Sequence, residues 1–196
     1  IVWDGEVNNR YARIENWDIA FQPSRFDTAI ISGATVVVDA IDQHAGILKL
    51  ADNATLNITD GWLDVATRLE TDEGATTDVG NAGAIIASDV INNGLFRLTG
   101  NATLTVSGTF TNNGILDISG WNGTLPANLV NLGTIRRYSC ATMIISDLNN
   151  DCQTDFSDYA VFVAALTNDM TGWLALQQFA VDWLACNRSP VSECWQ

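Results

Sequence analysis

A repeat of about 20 residues constrains this chain more than any other feature in it. Val90-Ile91-Asn92-Asn93-Gly94-Leu95-Phe96-Arg97-Leu98-Thr99-Gly100 returns as Phe110-Thr111-Asn112-Asn113-Gly114-Ile115-Leu116-Asp117-Ile118-Ser119-Gly120. Asn-Asn-Gly recurs in the same place, followed by apolar residues alternating with polar ones and then a second glycine. A repeat of this length builds a solenoid, in which each coil buries its apolar face only by stacking on the next. Asn-Gly takes positive φ without steric cost, so a corner is expected there, with a new short strand after it.

The strand pattern extends on both sides of that pair. Thr35-Val36-Val37-Val38 is β-branched. Asn53-Ala54-Thr55-Leu56-Asn57-Ile58-Thr59 resembles Asn101-Ala102-Thr103-Leu104-Thr105-Val106-Ser107. In each, two apolar side chains fall on one face at the period of two that a strand demands. Trp62–Val65 and residues 83–87 read as further strands. Leu129-Val130-Asn131-Leu132-Gly133-Thr134-Ile135 reads as a last, degraded corner. The expected fold is mainly β: a parallel β-solenoid of roughly five or six coils over residues 1–138, then a small helical module over 139–196.

Composition narrows the functions open to such a fold. With 23 acidic against 9 basic residues the net charge is -14, which repels nucleic acid and anionic membrane surfaces and favours cations. A single histidine leaves few routes to acid–base chemistry at neutral pH. No apolar run approaches the roughly 20 residues of a membrane span. The chain begins at Ile1, as expected of a secreted protein whose leader has been removed. Cys140, Cys152, Cys186 and Cys194, an even number confined to the last third, read as disulfides formed in an oxidising compartment.

Residues 1–29 have no regular period. Trp3 and Trp17 are read there as a cap on the first coil, against the alternative of a sugar-stacking pair. Trp3-Asp4-Gly5, Asn16-Trp17, Pro23 and Asp27-Thr28-Ala29-Ile30 together resemble the opening of secreted bacterial β-helical proteins of the autotransporter-passenger kind.

Chemistry concentrates near the C-terminus. Asp147, Asn149, Asp151, Asp155 and Asp158 stand at positions 1, 3, 5, 9 and 12 of a 12-residue loop, and Gln153 at position 7 offers its main-chain carbonyl. That is the ligand spacing of an EF-hand calcium loop; crowded carboxylates repel one another unless a cation sits between them. Cys152 stands where the loop normally has glycine, Asp158 replaces the usual Glu, and residues 141–146 look extended, not helical. With these departures the segment resembles a type I dockerin repeat. It is most similar to dockerin-like modules of planctomycete secreted proteins, through Asp147 to Cys152, Thr154 to Tyr159 and Trp183-Leu184-Ala185-Cys186. The resemblance implies calcium as the bound ion and a helix only after the loop. A second repeat around Asp169 lacks the acidic spacing.

Two helices are expected, over residues 156–166 and 171–185, the second with Leu176, Phe179, Ala180, Trp183 and Leu184 in one stripe and Thr171 as its N-cap. If they run antiparallel, Cys186 approaches Cys152 and Cys140 is left for Cys194, though three pairings remain open. A module this small needs metal and disulfides for stability.

These features lead to a secreted, non-enzymatic structural or adhesive surface protein, with head-to-tail self-association into fibres or attachment to a surface protein or polysaccharide. In a fibre, Ile1-Val2-Trp3 would pair with a neighbour's open edge. The alternatives are a carbohydrate-binding or polysaccharide-degrading β-helix and a calcium-dependent docking module. A hydrolase would set Asp64 against Asp89 or Asp117 across a groove; a lyase would use Lys49 or Arg97 as its base.

Overall fold

Short strands one repeat apart lie side by side and parallel. Thr28 pairs with Ile47, Arg68 with Asp89 and Phe110 with Leu129, so each partner stands 19 to 21 residues along the chain. The computed structural model of the protein describes residues 1–5, 7–137, 139–140, 146–148, 154–165, 170–183 and 188–189. They divide into two compact units, Ile1–Ile135 and Arg136–Gln196. The first is a parallel β-solenoid of about five turns, as the repeat requires.

Each turn has three sides. One side stacks β1 (Thr28–Ser32), the later halves of β3 (Gln43–Ala51), β5 (Trp62–Thr71) and β7 (Ala84–Asn92), then β10 (Phe110–Asn112) and β12 (Leu129–Asn131). The second stacks β2 (Thr35–Val38), β4 (Thr55–Ile58), β6 (Thr76–Val79), β8 (Leu95–Gly100), β11 (Ile115–Trp121) and β13 (Thr134–Arg136). The third is made by the early halves of β3, β5 and β7 and by β9 (Thr103–Val106). Register irregularities such as that between Val65 and Arg68 let one strand serve the third side and then the first side of the next turn.

Because side chains alternate across a strand, every second residue points inward and stacks on its counterpart one turn away. Ala29, Leu48, Leu69, Val90 and Phe110 form one such column; Val36, Leu56, Thr77, Phe96 and Leu116 form another; all are buried. The resemblance between residues 53–59 and 101–107 is not a stacking relation. The first stretch lies in β4 on the second side and the other in β9 on the third, because both follow a corner closed by a buried alanine, Ala54 or Ala102.

The Asn-Asn-Gly corners are where expected, but the glycines are there for a different reason. Neither Gly94 nor Gly114 has positive φ; the glycines that do include Gly100. A Cβ on Gly94 would overlap the carbonyl oxygen of Ala75, one on Gly114 that of Gly94, and one on Gly133 that of Gly114. The corners stack so closely that only glycine fits.

The N-terminal segment closes the first turn with its own main chain. Trp3 N–H donates to Ile30 O and Ile30 N–H to Ile1 O, both at 2.9 Å. Tyr11 N–H donates to Val37 O at 2.9 Å and Val37 N–H to Asn9 O at 2.7 Å. Both β1 and β2 therefore have their outer edges occupied from within the chain, and Ile1-Val2-Trp3 spends main-chain bonds on β1. Trp3 and Trp17 are buried edge to face at 5.1 Å, and Tyr11 packs on Trp17 at 5.0 Å. They cap the core and are covered from any sugar. Asn16 ties the segment down: its Oδ1 accepts from the N–H of Val7 and of Asn8, and its Nδ2 donates to Asn8 Oδ1 and Arg10 O.

In the second unit, β14 (Ser139–Cys140) pairs antiparallel with β15 (Arg188–Ser189). Helix α1 spans Phe156–Ala165 and α2 Met170–Asp182. Thr171, expected as the cap of α2, lies inside its first turn. The helices are antiparallel, since Phe156 meets Trp183 at 5.1 Å and Phe162 stacks on Phe179 at 5.3 Å.

Candidate functional site

Helix α1 begins at the end of the acidic loop, between Asp155 and Asp158. Asp155 is its N-cap, its carbonyl accepting the N–H of Tyr159 at 3.0 Å. Asp158, three residues on, is fully buried. Its Oδ2 accepts the N–H of Asp155 at 2.9 Å, which is a capping box with Asp in the place of the usual Glu or Gln. Its Oδ1 reaches back to the N–H of Leu148 at 2.7 Å, holding loop position 2 against position 12. The same carboxylate thus closes the loop and starts the helix.

The entry to the loop is fixed from the other helix. Ser146 Oγ donates to Asp182 Oδ2 at 2.9 Å, and Gln178 Nε2 donates to Asp182 Oδ1 at 3.0 Å. The end of α2 therefore lies beside the loop, as antiparallel helices require. Of the six ligands expected from the spacing, Asp147, Asp155 and Asp158 lie among the described residues, whereas Asn149, Asp151 and Gln153 lie outside them. Cys152, Cys186 and Cys194 also lie outside; of the four cysteines, Cys140 alone has a described backbone, in β14.

Among the described residues, no group of three or more His, Cys, Asp or Glu side chains stands together as a metal site. Asp158 places a buried carboxylate at the loop's end, and the hydroxyl oxygen of Thr154 is buried with no hydrogen-bond partner.

Beside this loop, α1 and α2 leave an open apolar groove of about 300 Å³ lined by Phe156, Tyr159, Phe179, Ala180 and Trp183. Phe156 is 77% exposed at its rim.

On the solenoid the outward side chains form ion pairs between turns. Arg97 Nη1 lies 3.2 Å from Asp78 in the turn below, and its Nε lies 3.6 Å from Asp117 in the turn above. Lys49 Nζ lies 3.0 Å from Asp72 and 3.8 Å from Glu70; Asp72 first, by hydrogen bond and charge, holds its ammonium above the ordinary lysine value. Arg25 hydrogen-bonds Asp64, whose carboxylate is 3.9 Å from His44 Nδ1; His44 Nε2 is 3.0 Å from Asp42. Tyr11 donates its phenol proton to His44 O at 2.8 Å, and burial pushes that phenol far above its ordinary value.

The Arg25–His44–Asp64 group is one that motif reading missed. Its signal was present: these residues stand one repeat apart, like Asp78, Arg97 and Asp117. The three carboxylates considered for hydrolysis do not face one another. Asp64 is bonded to Arg25 on the third side, Asp117 is beside Arg97 on the second, and Asp89 accepts the N–H of Thr109 at 2.7 Å beyond the bulge of β7. Lys49 and Arg97, the candidate lyase bases, are both ion-paired. Compared with known proteins, the chain matches no family model, no curated protein and no solved structure.

Proposed function

We propose that the protein is a non-enzymatic structural or adhesive element of the cell exterior. Its solenoid acts as a stiff spacer, and its helical module is held in shape by calcium. One observation carries this reading. Of the solenoid's charged side chains that are candidates for chemistry, Lys49, Asp64, Arg97 and Asp117 are ion-paired between turns, as in Asp78–Arg97–Asp117, and Asp89 is bonded to the main chain of Thr109. Four cysteines in one small, acidic module suit an oxidising compartment.

In the helical module, Asp147, Asn149, Asp151, Gln153, Asp155 and Asp158 are the residues that would hold calcium. Asp158 joins loop closure to helix initiation, so an ion bound there stabilises both.

Head-to-tail association of copies is the assembly this reading favours. Its contact would be made by side chains, because the main chain of β1 is already paired. Val7, Ile14, Ile19 and Phe21 are exposed in the capping segment and supply an apolar surface.

Electron microscopy of the full chain, with calcium and with a chelator, tests the assembly; monomers under every condition remove it. Calorimetric titration of the chelated full chain with calcium tests the ion. Release of soluble sugars from neutral or acidic polysaccharides would overturn the non-enzymatic reading.

A further inference from the structure

The third side of the solenoid stops one strand early. In successive turns it is built by β3, β5, β7 and β9, and residues 122–128, next in line, form no strand. Local chemistry explains the break. The indole of Trp121 folds over Gly123, where a Cβ would overlap the ring, and donates to Ala102 O at 2.8 Å. Pro126 has no N–H to give a ladder. Its carbonyl accepts the N–H of Leu129 at 3.1 Å, turning the chain into β12.

Among the described residues β9 pairs only with β7, so its other edge has no strand beside it. Parity says which groups face that edge. Thr103 N–H donates to Gly83 O at 3.0 Å and Ser107 N–H to Ala87 O at 3.1 Å. In a parallel pair the main-chain groups of alternate residues point to alternate sides, so those of Ala102, Leu104 and Val106 face outward. Two of them are covered: Ala102 O by Trp121, and Val106 O by Asn128 Nδ2 at 3.3 Å. Between these two stops, the N–H and C=O of Leu104 and the N–H of Val106 face an open recess of about 450 Å³. It is bounded by Leu104, Thr105 and Val106 on one side and Pro126, Ala127 and Asn128 on the other.

Short as it is, the edge lacks three of the usual protections against strand addition. Thr103-Leu104-Thr105-Val106 has no charge, no proline and no internal bulge. Its inward side chains continue the columns Leu63–Ile85–Leu104 and Val65–Ala87–Val106, which have no member above.

We propose that this edge receives an extended segment of a partner polypeptide as an added β-strand, about three to four residues long between the two stops. The segment that fits has small or medium apolar residues at alternate positions, to cover Leu104 and Val106. It is neutral or basic, since the chain carries a net charge of -14.

The probe is the acetylated, amidated hexapeptide Gly-Ala-Ile-Ile-Ala-Ser, the sequence of residues 83–88, which fills this side one turn below. It is titrated into isotope-labelled full chain and followed by NMR. Saturable shifts are expected at the amides of Leu104 and Val106, with slowed hydrogen exchange there. Two further peptides are N-methylated on alternate amides, one in each register. One should lose at least ten-fold in affinity and the other should bind as before, because only one set of amides faces β9. Leu104→Pro, which removes the central outward N–H, should abolish binding; because it also removes a leucine packed on the core and lowers the melting temperature, the methylated peptides carry the decision where the variant unfolds. No shift at millimolar peptide, shifts confined to other surfaces, or equal binding of both methylated peptides overturns the proposal. So does self-association mapped to these same amides, which would make a second copy the occupant.

Discussion

The side-chain amide of Asn92 donates to Oδ1 of Asn112 across 2.7 Å, one turn further along the solenoid and sealed from water. Asn112 Nδ2 in turn donates to Asn131 Oδ1 at 2.6 Å. The same amides also bond main-chain carbonyls of the next turn, Asn92 to Ile115 at 3.0 Å and Asn112 to Thr134 at 3.3 Å. The first Asn of each Asn-Asn-Gly corner is therefore a rung of an internal ladder whose bonds all point one way. Replacing Asn112 by Ala orphans a buried donor below it and removes an anchor above it. The expected loss is on the order of 3 kcal/mol, since each unpaired buried group costs roughly 1–3 kcal/mol. Asn131→Ala, at the exposed end of the ladder, should cost under about 1 kcal/mol. Urea denaturation of both variants measures the difference.

The glycines of these corners give a second contrast. Ala at Gly114 would drive its Cβ into the carbonyl oxygen of Gly94, backbone against backbone, with no side chain able to yield. The cost should be at least the roughly 1–3 kcal/mol of an overpacked core, since a whole turn must shift. Ala at Gly120 meets nothing within 4 Å, and its backbone does not have positive φ. That variant should match the parent within about 0.5 kcal/mol or gain slightly through a less flexible unfolded chain. Thermal unfolding of the two Ala variants separates the stacking requirement at the corner from a general intolerance of alanine at the repeat's glycines.

The solenoid was legible because its repeat is carried by residues that stacking itself selects. Asn92 and Asn112, Gly94 and Gly114, Val90 and Phe110 sit in register because each touches its counterpart. What those residues do was less legible. A sequence shows that a glycine recurs, and φ is the commoner cause, but the approach of Gly94 O to Gly114 exists only once the turns are stacked. The ion pairs of Arg97 and of Arg25 were hidden for the same reason, since partners a full turn apart in sequence share no local motif. The capping role of Asp158 was masked by a stronger pattern: the metal-ligand spacing claimed the residue, and a capping box with Asp in its third position is a weak signal. The missing strand at residues 122–128 was foreshadowed only by Pro126.

Tyr11 predicts the alkaline behaviour of the solenoid. Burial, then the nearby charge of Asp27, raises its pKa in the folded protein, while the unfolded chain ionises near 10. A raised folded value means that the stabilisation is complete below the unfolded pKa and is lost as pH rises past it. Denaturant stability should therefore fall with pH above about 10. Lys49, also raised, contributes to the fall in the same direction. Tyr11→Phe should be less stable by about 1 kcal/mol at pH 8, having lost the bond to His44 O, and should show a shallower alkaline decline. Parallel curves for the two proteins would show that Tyr11 plays no part.

Asp158 sets the last test, because its capping role and its proposed ligand role have different signatures. As a capping residue it stabilises α1 with or without an ion, so Asp158→Ala should destabilise the helical module in chelator by about 1 kcal/mol. As a calcium ligand it should also carry the response to the ion. If the module binds calcium as proposed, the parent should unfold at higher temperature as calcium rises, since an ion that binds only the folded state stabilises it. The Ala variant is expected to unfold at a temperature that calcium leaves unchanged. Melting of the helical signal in the full chain, with chelator and with millimolar calcium, reads both effects at once. A variant that melts early yet still responds fully to calcium would leave Asp158 as a helix cap and take it out of the ligand set.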